Sequence, residues 1–294
     1  MDSIFSEILA SFPIRNSSEQ KAAFREYVLG RFDDARIETL DAHNNIVIGD
    51  PDSAKAVFCA HYDTPRRSLT PNLMLPMHKW LHVLYTLTVM LPLLIIVAMF
   101  IYIAYTHDYN MGQRLLLVLA YLVIYFSAFF LLFKGPANRN NANDNTSGTA
   151  AVLELAELYN DDSRFAFILF DDEEKGKKGS KSYAAFHPEL KADTLFVNFD
   201  CVGNGETFVV AASSKELSDK LAASLSGTDS NIVVSDKASM NSDHKNFTRS
   251  YGICACKAGK QGILYTPLIH TRKDTVCDEN NIHKLISLVS KLAG

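Results

Sequence analysis

The sequence has no run of basic residues, no paired-cysteine spacing and a single tryptophan, Trp80, in 294 residues. Without basic blocks, and with a formal net charge of −4, nucleic acid is not expected as a partner. The five cysteines, Cys59, Cys201, Cys254, Cys256 and Cys277, are odd in number and scattered, which fits a reducing compartment better than a disulfide scaffold. The first twenty residues lack a basic start followed by a long apolar core, so no cleaved signal peptide is expected. No internal repeat or low-complexity tract is present. With 48% hydrophobic residues and little net charge, disorder is excluded too.

Charge is missing altogether from two stretches. Leu81–Tyr105 holds 21 hydrophobic residues in 25 and Leu115–Phe133 holds 18 in 19, neither with an Asp, Glu, Lys or Arg. Without them, charged residues rise to about 25% of the rest, the usual globular share. The chain therefore reads as an ordinary domain carrying a very apolar hairpin. As helices the stretches reach roughly 38 and 28 Å, against a hydrocarbon core of about 30 Å. A pair of core helices in a large soluble domain is the bland alternative, but charge-free stretches of this length exceed what a water-facing helix tolerates. Two transmembrane helices are expected, at about 80–105 and 114–134, with Pro92 kinking the first. The connecting loop carries one basic residue, Arg114, whereas the flanks carry Arg66, Arg67, Lys79, Lys134 and Arg139. That asymmetry predicts an integral membrane protein with two spans, its main domain and both termini cytoplasmic.

Elsewhere, short apolar runs alternate with helical patterns. Two N-terminal helices are expected, the second capped by Ser17-Ser18-Glu19-Gln20 and running to about Arg31. Strands are expected at 36–40, 45–48 (after a polar turn at His43-Asn44), 56–60, 165–170, 195–199, 207–211, 232–234 and 252–255. Helices are expected at 147–159, 180–186, 215–224 and 279–292. This alternation predicts an α/β fold, a mixed, mostly parallel sheet sandwiched by helices. Cys254 and Cys256 are read as packed small residues on opposite faces of a strand.

Polar residues gather at the ends of these runs, where open α/β sheets place their sites. His61 follows AVFCA, Asp171–Glu174 follow FAFILF, and Asp200 follows LFVNF; Asp144 opens a helix and His270 precedes the last one. Each alone has a plainer reading, as a structural histidine, a solvated acid pair or a capping Asp. Together they supply the mixed imidazole and carboxylate donors that suit zinc.

The ordered segments HYDT, NDNTSG, FDDEEKGKKGS, NFDCVG, SDHKNF and IHTRKDT resemble metallopeptidase family 28, the co-catalytic zinc exopeptidases, which includes aminopeptidases, glutamate carboxypeptidase and glutaminyl cyclase. The resemblance spans about Pro51–Arg67 and Gly135–Leu288. It implies the zinc exopeptidase fold, formed by residues 1–67 and 135–294 around an inserted hairpin, 68–134. It also implies two zinc ions, other divalent metals being compatible. His61 and Asp200 would hold one, Glu174 and His270 the other, and Asp144 would bridge them. Glu173 would be the general base acting on a metal-bridging water, and Asp63 the carboxylate that orients His61. The activity implied is an aminopeptidase acting on the N-terminal residues of peptides at the membrane.

The sequence departs from the family pattern in three places. Eighty residues separate Asp63 from Asp144, an excess the hairpin accounts for. Ile269 stands where many aminopeptidases of the family have Tyr before the last histidine, leaving Tyr265 as a candidate substitute. The hairpin itself is unusual for the family. Asp243, in the SDH segment, is a candidate substrate-binding residue or a helix cap, and His244 is more readily structural. The alternatives are a single-zinc cyclase of glutaminyl cyclase type and a non-catalytic membrane scaffold. Substrate side-chain preference and oligomeric state are not legible.

Overall fold

The structure, a computed structural model, describes residues 3–133, 135–159, 161–227 and 231–293. Its centre is one nine-stranded sheet built from β1 (Arg36–Leu40), β2 (His43–Ile48), β3 (Ala56–His61), β4 (Phe165–Phe170), β5 (Leu195–Phe199), β6 (Thr207–Ala212), β7 (Ile232–Ser235), β8 (Ser250–Ala258) and β9 (Leu264–Tyr265). The order is β1-β2-β4-β3-β5-β8-β6-β7, with β9 paired to β8. The central strands β4, β3, β5 and β8 are parallel, while β1, β2 and β6 join antiparallel. β3, β4 and β5 are buried along their whole length, the reason they read as continuous apolar runs.

Helices α1 (Ile4–Ser11), α2 (Ser18–Leu29), α5 (Gly148–Tyr159), α8 (Lys215–Ser224), α9 (Glu279–Ser287) and α10 (Val289–Leu292) share a core with one face of the sheet. The other face packs against α6 (Lys178–Phe186) and α7 (Pro188–Asp193). Ser17 and Gln20 form the expected capping box of α2. The arrangement is the expected mixed, mostly parallel sheet between helices.

Local differences have local causes. The β1–β2 turn is Asp41-Ala42, both with positive φ, and His43-Asn44 already belong to the strand because Leu40 pairs with His43 across a two-residue loop. The closing helix breaks at Leu288, and the short α7 and β9 were not expected. Cys254 and Cys256 lie on the same face of β8, not on opposite faces, with sulfurs 3.6 Å apart in a pocket that includes Val209 and Met240. A strand's side chains repeat every two residues, so positions two apart share a face.

The hairpin consists of α3 (Lys79–Thr106) and α4 (Met111–Phe133). Each has a mean hydropathy of 2.7 over its most apolar 18 residues, of which only 6% are buried in the protein. These are candidate membrane spans; Lys134, expected to close the second, lies outside the described residues. Between β3 and α3 a strap over residues 68–78 lies along the loop that carries His270. Ser68 N donates to the His270 carbonyl at 2.8 Å, Asn72 N to that of Ile269 at 3.2 Å, and Thr266 N to that of Met74 at 3.0 Å.

Candidate active site

Three parallel neighbours, β4, β3 and β5, end at one edge of the sheet. His61 closes β3 opposite Phe170 of β4. Asp171–Glu174 continue from β4 and Asp200 from β5, so register alone brings these side chains together. Asp144 enters from the turn Ala142–Ser147 before α5, and His270, with a φ of 60°, from the loop after β9.

Asp144 stands between the two histidines. Its Oδ1 is 3.5 Å from His61 Nε2 and its Oδ2 is 3.0 Å from His270 Nε2. Asp200 Oδ1 lies 3.8 Å from His61 Nε2, and Glu174 Oε2 lies 3.5 Å from His270 Nε2. The five residues thus fall into two compact groups that share Asp144, His61-Asp144-Asp200 and Asp144-Glu174-His270. Glu173 lies beside them, within reach of His61 and Glu174. They line a cleft of about 310 Å³ whose polar walls add Lys177 and Asn241, joined at 2.6 Å, and whose apolar walls add Met74, Leu75 and Ile269.

The acids outnumber the imidazoles, and their protonation reflects it. Burial pushes Glu173 well above the ordinary carboxylate range, with Asp243, Glu174 and Asp200 adding to the push against His61. Burial likewise pushes Glu174 up to about 8. His270 is raised to about 9, because Glu174 and Asp144 outweigh the burial that would lower it. Asp144 and Asp200 are held low, hydrogen bonding to the histidines outweighing their burial. Such an excess of buried carboxylates calls for cations.

Three observations show that these residues fit zinc. The donors are imidazole and carboxylate, the ordinary ligands of that ion. Their spacing brackets the about 3.3 Å between donors of a tetrahedral site with bonds near 2.0 Å. Glu174 Oε1 is buried with no hydrogen-bond partner among the described residues.

Asp63 does more than face His61. His61 Nδ1 is 3.1 Å from its backbone oxygen and 3.4 Å from its carboxylate. The carboxylate also accepts the backbone N–H of Glu173 at 3.0 Å and of Glu174 at 3.2 Å. Asp274, in the IHTRKDT segment, accepts from Asn143 N at 2.9 Å and Asp144 N at 3.0 Å. Asn145 spans from the Phe199 carbonyl to Cys201 N and so ties the Asp144 turn to β5. Gly148 must be glycine there, since a Cβ would collide with the Phe199 carbonyl. Arg15 lies in no sequence motif. It is fully buried and donates to the carbonyls of Phe12 and Tyr62 and to Thr146, locking the N-terminal helices to the site.

The remaining candidates lie off the cleft. Asp243 is fully buried beneath it, hydrogen-bonded to Ser180, with burial raising it to about 7. His244 packs against Gly252, and burial lowers it to about 4. Tyr265 faces a separate apolar groove with Leu73, Leu84 and Ile263, so the structure does not bring it to the metal ligands. A second acidic group, Asp171 and Asp172 beside His43, already holds a cation: Lys21 Nζ sits 2.6 and 2.7 Å from the two carboxylates.

The model of peptidase family M28 matches residues 130–293, more than half of the chain. The chain belongs to peptidase family M28. The match takes in Asp144, Glu173, Glu174, Asp200 and His270, while His61 and Asp63 precede it. No curated protein sequence matches the chain. Among solved structures, the LapA aminopeptidase of Legionella pneumophila superposes with a TM-score of 0.60 at 16% identity, over 99% of this chain and 67% of that one. BSAP, a zinc aminopeptidase from Bacillus subtilis, gives 0.50 at 18% identity, over 85% and 49%. The glutaminyl cyclase of Porphyromonas gingivalis gives 0.59 at 15% identity, over 99% and 96%. The chain thus spans two thirds of LapA and about half of BSAP. These likenesses establish the fold of the family's zinc aminopeptidases.

Proposed function

We propose that the protein is a membrane-anchored aminopeptidase working with two zinc ions. The observation that carries this reading is Asp144, whose two oxygens each face a different histidine. A carboxylate so placed would serve two cations, one of which His61 and Asp200 would also hold and the other Glu174 and His270. When bound, a zinc pair supplies Lewis-acid polarisation of the scissile carbonyl and makes water more acidic.

The chain's own groups supply the rest. Glu173, adjacent to the candidate ligand Glu174, takes the proton of the attacking water and delivers it to the leaving amine. Asp63 holds the backbone of Glu173 and Glu174 in register with His61. A free substrate amino group finds the carboxylates that line the cleft, among them Asp144, Glu174 and Asp200. The hairpin anchors this domain at a bilayer, and the basic flanks of its two helices support a cytoplasmic position for it.

The glutaminyl cyclase likeness favours a second reading, a single-zinc acyltransferase. A complete donor set around each side of Asp144 supports the peptidase. The deciding experiment measures hydrolysis of peptides with free and with blocked N-termini by zinc-loaded protein. Cleavage of the free peptides alone is expected, and Glu173→Gln should lower it by about 10²–10⁴-fold. Cleavage of blocked peptides, or cyclisation of N-terminal glutamine without hydrolysis, would overturn the reading.

A further inference from the structure

The first membrane-candidate helix reaches into the catalytic cleft. His82, in the first turn of α3, lines the same cavity as His61, Glu173 and His270. Its ring is held by the strap: Nδ1 lies 3.0 Å from the Leu73 carbonyl oxygen. A carbonyl only accepts, so Nδ1 carries a proton, and Nε2 of the neutral ring is an acceptor. Nε2 has no hydrogen-bond partner among the described residues. One turn on, Tyr85 donates to the Pro71 carbonyl at 2.5 Å and fastens helix to strap a second time. The strap is bonded in turn to the carbonyls of Ile269 and His270. A continuous chain of hydrogen bonds therefore fixes the His82 ring relative to a candidate metal ligand.

We propose that His82 is a substrate-positioning residue, whose Nε2 accepts a main-chain N–H of the bound peptide beyond the scissile bond. The proposal rests on the peptidase reading above. His82, like Glu173, Glu174 and His270, is half-buried, His61, Asp144 and Asp200 are buried, and Asn72 on the strap beside His82 is exposed. The strap side, opened by Asn72, is therefore the rim of the cleft, where the trailing part of a peptide passes, while the reacting residue sits among the acids. An extended peptide offers an N–H at every residue, and an acceptor at the rim registers the chain without reading its side chains. The hairpin thereby takes part in substrate binding as well as anchoring the domain.

Two substitutions separate this role from a structural one. His82→Asn keeps a donor near the place of Nδ1 for the Leu73 carbonyl and loses the cleft atom; His82→Gln keeps a polar atom near the place of Nε2. The affinity of a fluorescein-labelled hexapeptide with a free N-terminus is measured by anisotropy on the full chain in lipid nanodiscs, with hydrolysis followed separately. His82→Asn should weaken binding about tenfold, the worth of one hydrogen bond, and His82→Gln by less than about threefold. Unchanged binding in His82→Asn, or equal loss in both variants, overturns the proposal. Peptide that binds as expected but is not cleaved overturns the peptidase reading and leaves His82 in place.

Discussion

The carboxylate of Asp63 accepts the backbone N–H of Glu173 at 3.0 Å, while the same residue's backbone oxygen lies 3.1 Å from Nδ1 of His61. One buried aspartate thus couples the ends of β3 and β4 and sets the spacing of an imidazole, a candidate base and a candidate ligand. Asp63→Asn keeps the volume but turns one acceptor into a donor facing an N–H. Zinc affinity should fall by about 10–100-fold, the usual cost of losing the group behind a ligand, with the far-ultraviolet spectrum retained. Competition with a zinc chelator measures it, and wild-type affinity would contradict the assignment.

Lys21 is the cation of the neighbouring acidic group, buried between Asp171 and Asp172. Replacing it with Met leaves the buried Asp171 without its cation, while Asp172 keeps Lys175 and His43, and a loss of about 3 kcal/mol is expected in urea unfolding. The same pair sets acid sensitivity. Burial raises the Asp172 carboxyl, but hydrogen bonds from Lys21 and Lys175 outweigh it and hold it at about 2. A depressed carboxylate stabilises the fold above its unfolded value, about 3.9, and that contribution disappears as pH falls towards 2. In Lys21→Met the acid-unfolding midpoint, followed by circular dichroism, should move to higher pH; an unmoved midpoint would show that the pair contributes nothing.

On the proposal for His82, residues 68–134 divide into two parts, a strap with the start of α3 that serves the cleft and a pair of apolar helices that anchor. Removing residues 90–125 and closing the gap with a short flexible linker takes away most of both apolar helices but leaves the strap, His82 and Tyr85. That variant should stay soluble without detergent and keep peptide hydrolysis within about threefold, a change below 1 kcal/mol. Removing 68–134 deletes a wall of the cleft and should abolish it. Equal activity in both would mean that the insertion only anchors.

Orientation is open to a direct test. A thiol introduced at Asn110, in the loop between α3 and α4, should react with a membrane-impermeant maleimide added to intact cells. Protection there, with labelling only after lysis, would place the catalytic domain on the other side of the bilayer.

Much of this arrangement was legible in the order of residues. Strands buried on both faces announce themselves as unbroken apolar runs, and the polar residue that ends each run, His61, Asp171 or Asp200, marks the edge where the cleft lies. The unreadable parts depend on partners distant in sequence. Arg15 and Asp274 look like any surface charges until folding places them behind Thr146 and Asp144. Tyr265 looked close to His270 along the chain, but β9 turns it towards the apolar groove. Cys254 and Cys256, expected on opposite faces, sit side by side because their spacing is two.

The central claim is that Asp144 joins two metal sites, and the zinc content of the purified full-length protein tests it most directly. Inductively coupled plasma mass spectrometry on protein equilibrated with zinc and passed through a desalting column should find two ions per chain. One ion per chain would contradict the two-metal account and favour the cyclase-type chemistry.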